Sequence, residues 1–101
     1  MTTDRFTADR ERIAAAMCKA QPGRWWVADE FHELGNAVRA FEVLCDPRGY
    51  TLMRNERRVW WTKNPHNVRF YAPVTGDHAA DVCRLVCEVL DREAKEEGHG
   101  R

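Results

Sequence analysis

Apolar residues recur along this chain with two different periods. Phe6, Ile13, Met17 and Ala20 fall on one helical face, which predicts a first helix from Asp9 to about Ala20. Thr7 is its expected N-cap, because a threonine hydroxyl can accept from the free donors of an opening turn. Pro22 and Gly23 end that helix, and Arg24, Trp25, Trp26 and Val27 form an aromatic, β-prone run read as one short strand. From Asp29 the helical period returns, with Phe31, Leu34, Val38, Phe41 and Cys45 at alternating spacings of three and four. Gly35 and Asn36 interrupt this run. They form either a tight turn between two helices or part of a single helix, in which the glycine costs about 1 kcal/mol.

Asp46, Pro47, Arg48 and Gly49 stop the helical pattern, and a period of two takes over. Tyr50, Leu52 and Arg54 alternate with Thr51 and Met53, a polar turn spans Asn55 to Arg57, and Arg58 to Lys63 forms the returning strand. A third strand is expected at Val68 to Ala72, reached through Asn64, Pro65, His66 and Asn67 and closed by Pro73. Thr75, Gly76 and Asp77 offer capping chemistry for a C-terminal helix, whose apolar positions are Ala79, Val82, Cys83, Val86, Cys87, Val89 and Leu90. So broad an apolar face fits complete burial within one chain, and it also fits a homodimer built on this helix. The expected class is α+β.

At 101 residues, with 44% hydrophobic and 32% charged residues, the chain can bury one core but not two, so residues 1–101 are read as a single domain. No stretch reaches the roughly 18 apolar residues of a membrane span, and the N-terminus lacks the apolar region of a signal peptide. A cytoplasmic protein with no membrane partner is the expectation.

Net charge is zero, but it is unevenly placed. Between residues 48 and 72 the cations Arg48, Arg54, Arg57, Arg58, Lys63 and Arg69 face one acid, Glu56, and the flanking segments are acidic on balance. The same stretch holds Trp60, Trp61, Phe70 and Tyr71, a combination of charge and aromatic surface suited to nucleic-acid grooves. Arginines on exposed strands also serve as plain edge protection.

The order helix, short strand, helix, turn, helix, hairpin resembles a winged helix-turn-helix domain over residues 7–63. On that resemblance Ala28 to Leu34 is the scaffold helix, Gly35 and Asn36 the turn, Ala37 to Leu44 the recognition helix and Leu52 to Trp61 the wing. Trp25 to Val27 pairs with the second wing strand. Residues 64–76 then supply the third strand and a turn, and residues 77–97 the C-terminal helix. The segment before the recognition helix is shorter than the family's. What the resemblance implies is a small transcriptional regulator on double-stranded DNA, with Arg39, Arg54, Asn55, Arg57, Arg58 and Lys63 as its contacts.

Neighbouring strand residues point to opposite faces, so one member of each tryptophan pair, Trp25 with Trp26 and Trp60 with Trp61, must face away from the other. An outward tryptophan anchors interfaces well, which gives an alternative: a small bacterial or phage accessory protein acting as adaptor or inhibitor. Its partner would be held by these four tryptophans or by the C-terminal helix.

Cys18, Cys45, Cys83 and Cys87 lie in apolar helical stretches without the close pairs of a zinc or iron-sulfur site, so they read as reduced core residues. His32 and Glu33 lack the cysteine pair of a zinc deaminase, and there is no glycine-rich phosphate loop or GxSxG elbow. A non-enzymatic protein without metal or cofactor is expected.

Overall fold

Three antiparallel strands in the order β1, β2, β3 lie across the C-terminal helix, and two further helices complete the other side. The computed structural model describes residues 5–63 and 68–99. Its helices are α1 (Arg5–Ala20), α2 (Leu34–Leu44) and α3 (His78–His99), with 3-10 turns at Ala28–His32 and Asp46–Arg48. The strands are β1 (Tyr50–Arg54), β2 (Val59–Lys63) and β3 (Val68–Tyr71). This is the expected α+β class, with the hairpin, third strand and C-terminal helix where the patterns place them. The segment Asn64, Pro65, His66 and Asn67, expected as the link between β2 and β3, lies outside the described residues.

Helix α3 is the centre of the core. Ala79, Val82, Cys83, Leu85, Val86, Cys87 and Val89 are buried, because α1 and α2 cover one side of the helix and β2 the other. Its breadth of apolar surface is therefore taken up within the chain, leaving Leu90 half-buried. Asp77 caps it, its Oδ1 accepting from the backbone N–H of Ala79 at 3.0 Å and of Ala80 at 3.3 Å. The Thr75 hydroxyl accepts from the Asp77 N–H and donates to the buried Asp81 carboxylate at 2.8 Å. Gly76, with φ of 88°, takes the left-handed turn between them.

Four local expectations give way. Helix α1 begins by Arg5, so Thr7 sits inside its first turns instead of capping it. The run Trp25 to Val27 is not a strand. Both edges of β2 are already occupied, by β1 through Met53 opposite Trp60 and by β3 through Tyr71 opposite Trp60. The backbone of the run is satisfied elsewhere: the Trp26 N–H donates to Cys18 Sγ at 3.2 Å and the Val27 N–H to the Glu30 carboxylate at 3.0 Å.

The scaffold helix expected over Ala28 to Leu34 is a single 3-10 turn that ends on Glu33, which is extended (φ −89°, ψ 131°). Gly35 and Asn36 are not a turn. They open α2, and Asn36 Nδ2 donates back to the Glu30 carbonyl at 2.9 Å, tying the two pieces together. The break at Glu33 resets the helical phase, so α2 buries Ala37, Ala40, Phe41 and Leu44, while Leu34 and Val38 of the expected stripe are only half-buried. The element order still parallels the winged resemblance, but its first strand, scaffold helix and turn are missing among the described residues.

Candidate nucleic-acid interface

Alternation along β2 sets the two faces of the sheet. Val59 and Trp61 point inward: Trp61 meets Tyr50 edge-on at 4.9 Å, stacks on Phe70 at 5.9 Å and lies beneath the Arg92 guanidinium of α3. Trp60 points the other way and is half-buried. Its partners directly across the sheet are Met53 on β1 and Tyr71 on β3, 41% and 45% exposed, so the three make one apolar row across an uncovered face. The rings of Trp60 and Tyr71 stack at 5.5 Å with 30° between planes, and the Arg58 guanidinium lies 5.5 Å from the Tyr71 ring centre. Two residues along is a polar row, Thr51 opposite Thr62 opposite Arg69. None of the three strands carries an acidic residue.

The hairpin turn is set by Asn55. Its backbone N–H donates to the Arg58 carbonyl at 3.0 Å, and its side-chain oxygen accepts from the N–H groups of Arg57 (2.8 Å) and Arg58 (3.0 Å). Asn55, expected as a contact residue, thus spends its side-chain oxygen holding the turn. The tip does not stand free as a wing, since His78 at the start of α3 meets the Glu56 carbonyl at 3.3 Å. A shallow recess of about 410 Å³ remains where Leu34, Arg54, Asn55, Glu56 and His78 come together.

The basic side chains divide into two groups. Arg54, Arg57, Arg58 and Arg69 are exposed, and none of them has an ion-pair partner among the described residues. Lys63 behaves differently from its expected role. It ends β2 on the inward side, half-buried, with Nζ 3.8 Å from the Glu93 carboxylate and 4.7 Å from the Tyr50 ring centre. Arg48 shares Glu93 at 3.3 Å and donates to the Leu44 carbonyl, closing the end of α2. Burial first, and the Glu93 charge second, push the Tyr50 hydroxyl above its usual range. Arg39 is exposed on α2, an element separate from the hairpin.

Both tryptophan pairs resolve in the same sense, the first member outward and the second buried. Trp26 and Trp61 are each 2% exposed and belong to the core, Trp26 stacking on Phe31 at 5.5 Å beneath the Arg24 guanidinium. Neither has surface to offer a partner. Trp25 is 81% exposed beside an apolar recess of about 480 Å³ lined by Ala14, Ala15, Cys18 and Val27. The cysteines are free thiols. Desolvation pushes Cys45 and Cys83 up to about 12 and Cys87 up as well, so these three stay protonated at neutral pH. Among the described residues no three of histidine, cysteine, aspartate or glutamate come together as a metal site would require.

Tyr71, Met53 and Arg69 join this face although they were not among the expected contacts. Strand alternation was the signal for them, and it needed the register across three strands to become a position. No protein-family model matches the chain, and no match was found among curated proteins or solved structures either.

Proposed function

We propose that this chain is a non-enzymatic nucleic-acid-binding domain that holds phosphates with the arginines of its hairpin and third strand. One observation carries this reading. Arg12, Arg24, Arg48, Lys63 and Arg84 are all drawn into ion pairs, whereas Arg54 and Arg69 on acid-free strands and Arg57 and Arg58 in the hairpin turn are exposed and without such partners among the described residues. Phosphodiesters supply the missing anions, and the release of their counterions drives association.

The finer version, a winged-helix regulator laying α2 into the major groove of a duplex, is supported by the order of helix and hairpin and by the exposed Arg39. Against it, Glu42 and Asp46 are exposed on and after the same helix, where they repel phosphate. The phosphate-holding reading does not depend on that docking.

Fluorescence anisotropy with a labelled mixed-sequence duplex and a labelled single strand, at about 20 mM and about 150 mM salt, tests the proposal. The expected outcome is binding that weakens steeply with salt, and a shallower salt dependence in the Arg57→Ala/Arg58→Ala double variant. Absence of binding to either probe at low salt overturns it and favours a protein partner, for which exposed Trp25 is the supporting observation.

A further inference from the structure

The outer face of the sheet has a division of labour that bare phosphate binding does not use. Its apolar row, Met53, Trp60 and Tyr71, runs across the strands, and the row beside it, Thr51, Thr62 and Arg69, is polar or charged. Arg58 lies over the Tyr71 ring at one end. Adjacent strands stand about 4.8 Å apart, so each row spans roughly 10 Å, and rows two residues apart along a strand are separated by about 7 Å. Aromatic surface thus sits beside a row of two hydroxyls and one guanidinium group.

We infer that this face binds an unpaired nucleic-acid strand, with bases stacked on the Trp60–Tyr71 ring pair and the sugar-phosphate backbone running along Thr51, Thr62 and Arg69, while Arg58 on the far side of the apolar row adds a second cation. This rests on the phosphate-holding reading and makes it specific. The charge complementarity is on the face itself, which has arginines and no strand carboxylate. The preference for an unpaired strand follows from chemistry: in a duplex the π-faces of bases are stacked on one another, so exposed protein rings gain nothing there except at ends. In a single strand each base can leave its neighbour for a tryptophan or tyrosine. A face three strands wide with two stacked rings suits about two bases. Stacking is tolerant of sequence, so the preference should be for unpaired strands in general.

The probes are ten-residue oligodeoxythymidine and oligouridine, which do not pair with themselves, against a ten-base-pair mixed duplex, all labelled and titrated at the same salt. The intact protein should bind both single strands more tightly than the duplex, with quenching of tryptophan fluorescence, and the ratio between the two single strands reports which sugar the face prefers. Trp60→Ala should weaken single-strand binding about 5- to 100-fold without changing its salt dependence, because no charge is removed. Trp60→Phe, which keeps a ring and protects the sheet, should recover most of that loss and abolish most of the quenching. Duplex bound as tightly as the single strands, or Trp60→Ala binding as well as the parent, overturns the stacking inference and leaves the phosphate-holding reading in place. No binding to any probe at low salt overturns both.

Discussion

Asp9 of α1 and Arg84 of α3 meet across 75 residues of sequence, with Arg84 Nη1 3.1 Å from Asp9 Oδ1. Both are largely buried, and the Cys87 thiol donates to the Asp9 carbonyl at 3.6 Å. The pair locks the first helix to the last. Removing one partner leaves a charge in a poorly solvated place, so Arg84→Met should destabilise the fold by about 2–4 kcal/mol, less than full burial would cost because both side chains keep some contact with solvent. Urea denaturation of the variant and of Asp9→Asn measures this. A loss under about 0.5 kcal/mol in both would show that the pair does not hold the helices together.

The tryptophans should separate cleanly by stability. Trp61→Ala empties the centre of the layer between sheet and α3 and should cost about 3–5 kcal/mol. Trp25→Ala, at a position 81% exposed, should change stability by less than about 0.5 kcal/mol. Thermal melts of the two variants read the contrast.

Asp77→Ala should cost about 1 kcal/mol, because the Ala79 and Ala80 N–H groups lose their acceptor at the start of α3. Asp77→Asn should recover most of it, since an amide oxygen accepts in the same place. Equal losses for alanine and asparagine, read by chemical denaturation, would point to charge and not capping.

Thiol reactivity should be strongly unequal. Cys45, Cys83 and Cys87 are buried and held as thiols, whereas Cys18 is only partly covered. With an aromatic disulfide reagent at about pH 8, one thiol should be modified in the native protein, and the other three only as fast as the chain unfolds. Loss of the fast phase in Cys18→Ser identifies it.

Glu30 gives a pH signature. Its carboxylate accepts from the Val27 N–H and pairs with Arg24 at 2.6 Å, and these hold it below the ordinary value of 4.5. A carboxyl whose pKa is lowered in the folded state adds stability above its unfolded value, and loses it as pH falls through the folded value. Glu30→Gln should therefore melt below the parent at neutral pH, and the two melting temperatures should converge in acid. A gap that stays constant down to pH 2 would exclude this linkage.

How far the sequence reached can be traced residue by residue. Tyr50 to Tyr71 alternate so regularly around an Asn-Glu-Arg turn that the hairpin and third strand follow from local chemistry, and Thr75 to Asp77 mark the start of α3 in the same way. The aromatic run Trp25 to Val27 had equally good strand propensity. It stayed a loop because β1 and β3 had filled both edges of β2, the strand it was expected to join, and its N–H groups found Cys18 and Glu30 instead. Gly35 and Asn36 looked like a turn, yet the chain breaks two residues earlier, where the Val27 and Glu30 contacts close a 3-10 turn.

The candidate site divides along the same line. That residues 48–72 are basic and aromatic was a property of the sequence, because charge and ring content need no partner to be counted. Which of those side chains can meet a ligand was decided by tertiary structure alone. Lys63 is neutralised by Glu93 from a helix thirty residues on, and Asn55 is consumed by its own turn. Trp60, Tyr71 and Arg69 share one uncovered face only because three strands align in one register. A period of two says that neighbours point apart, but which face is buried depends on where α3 packs, and that is set by contacts between residues far apart in the chain.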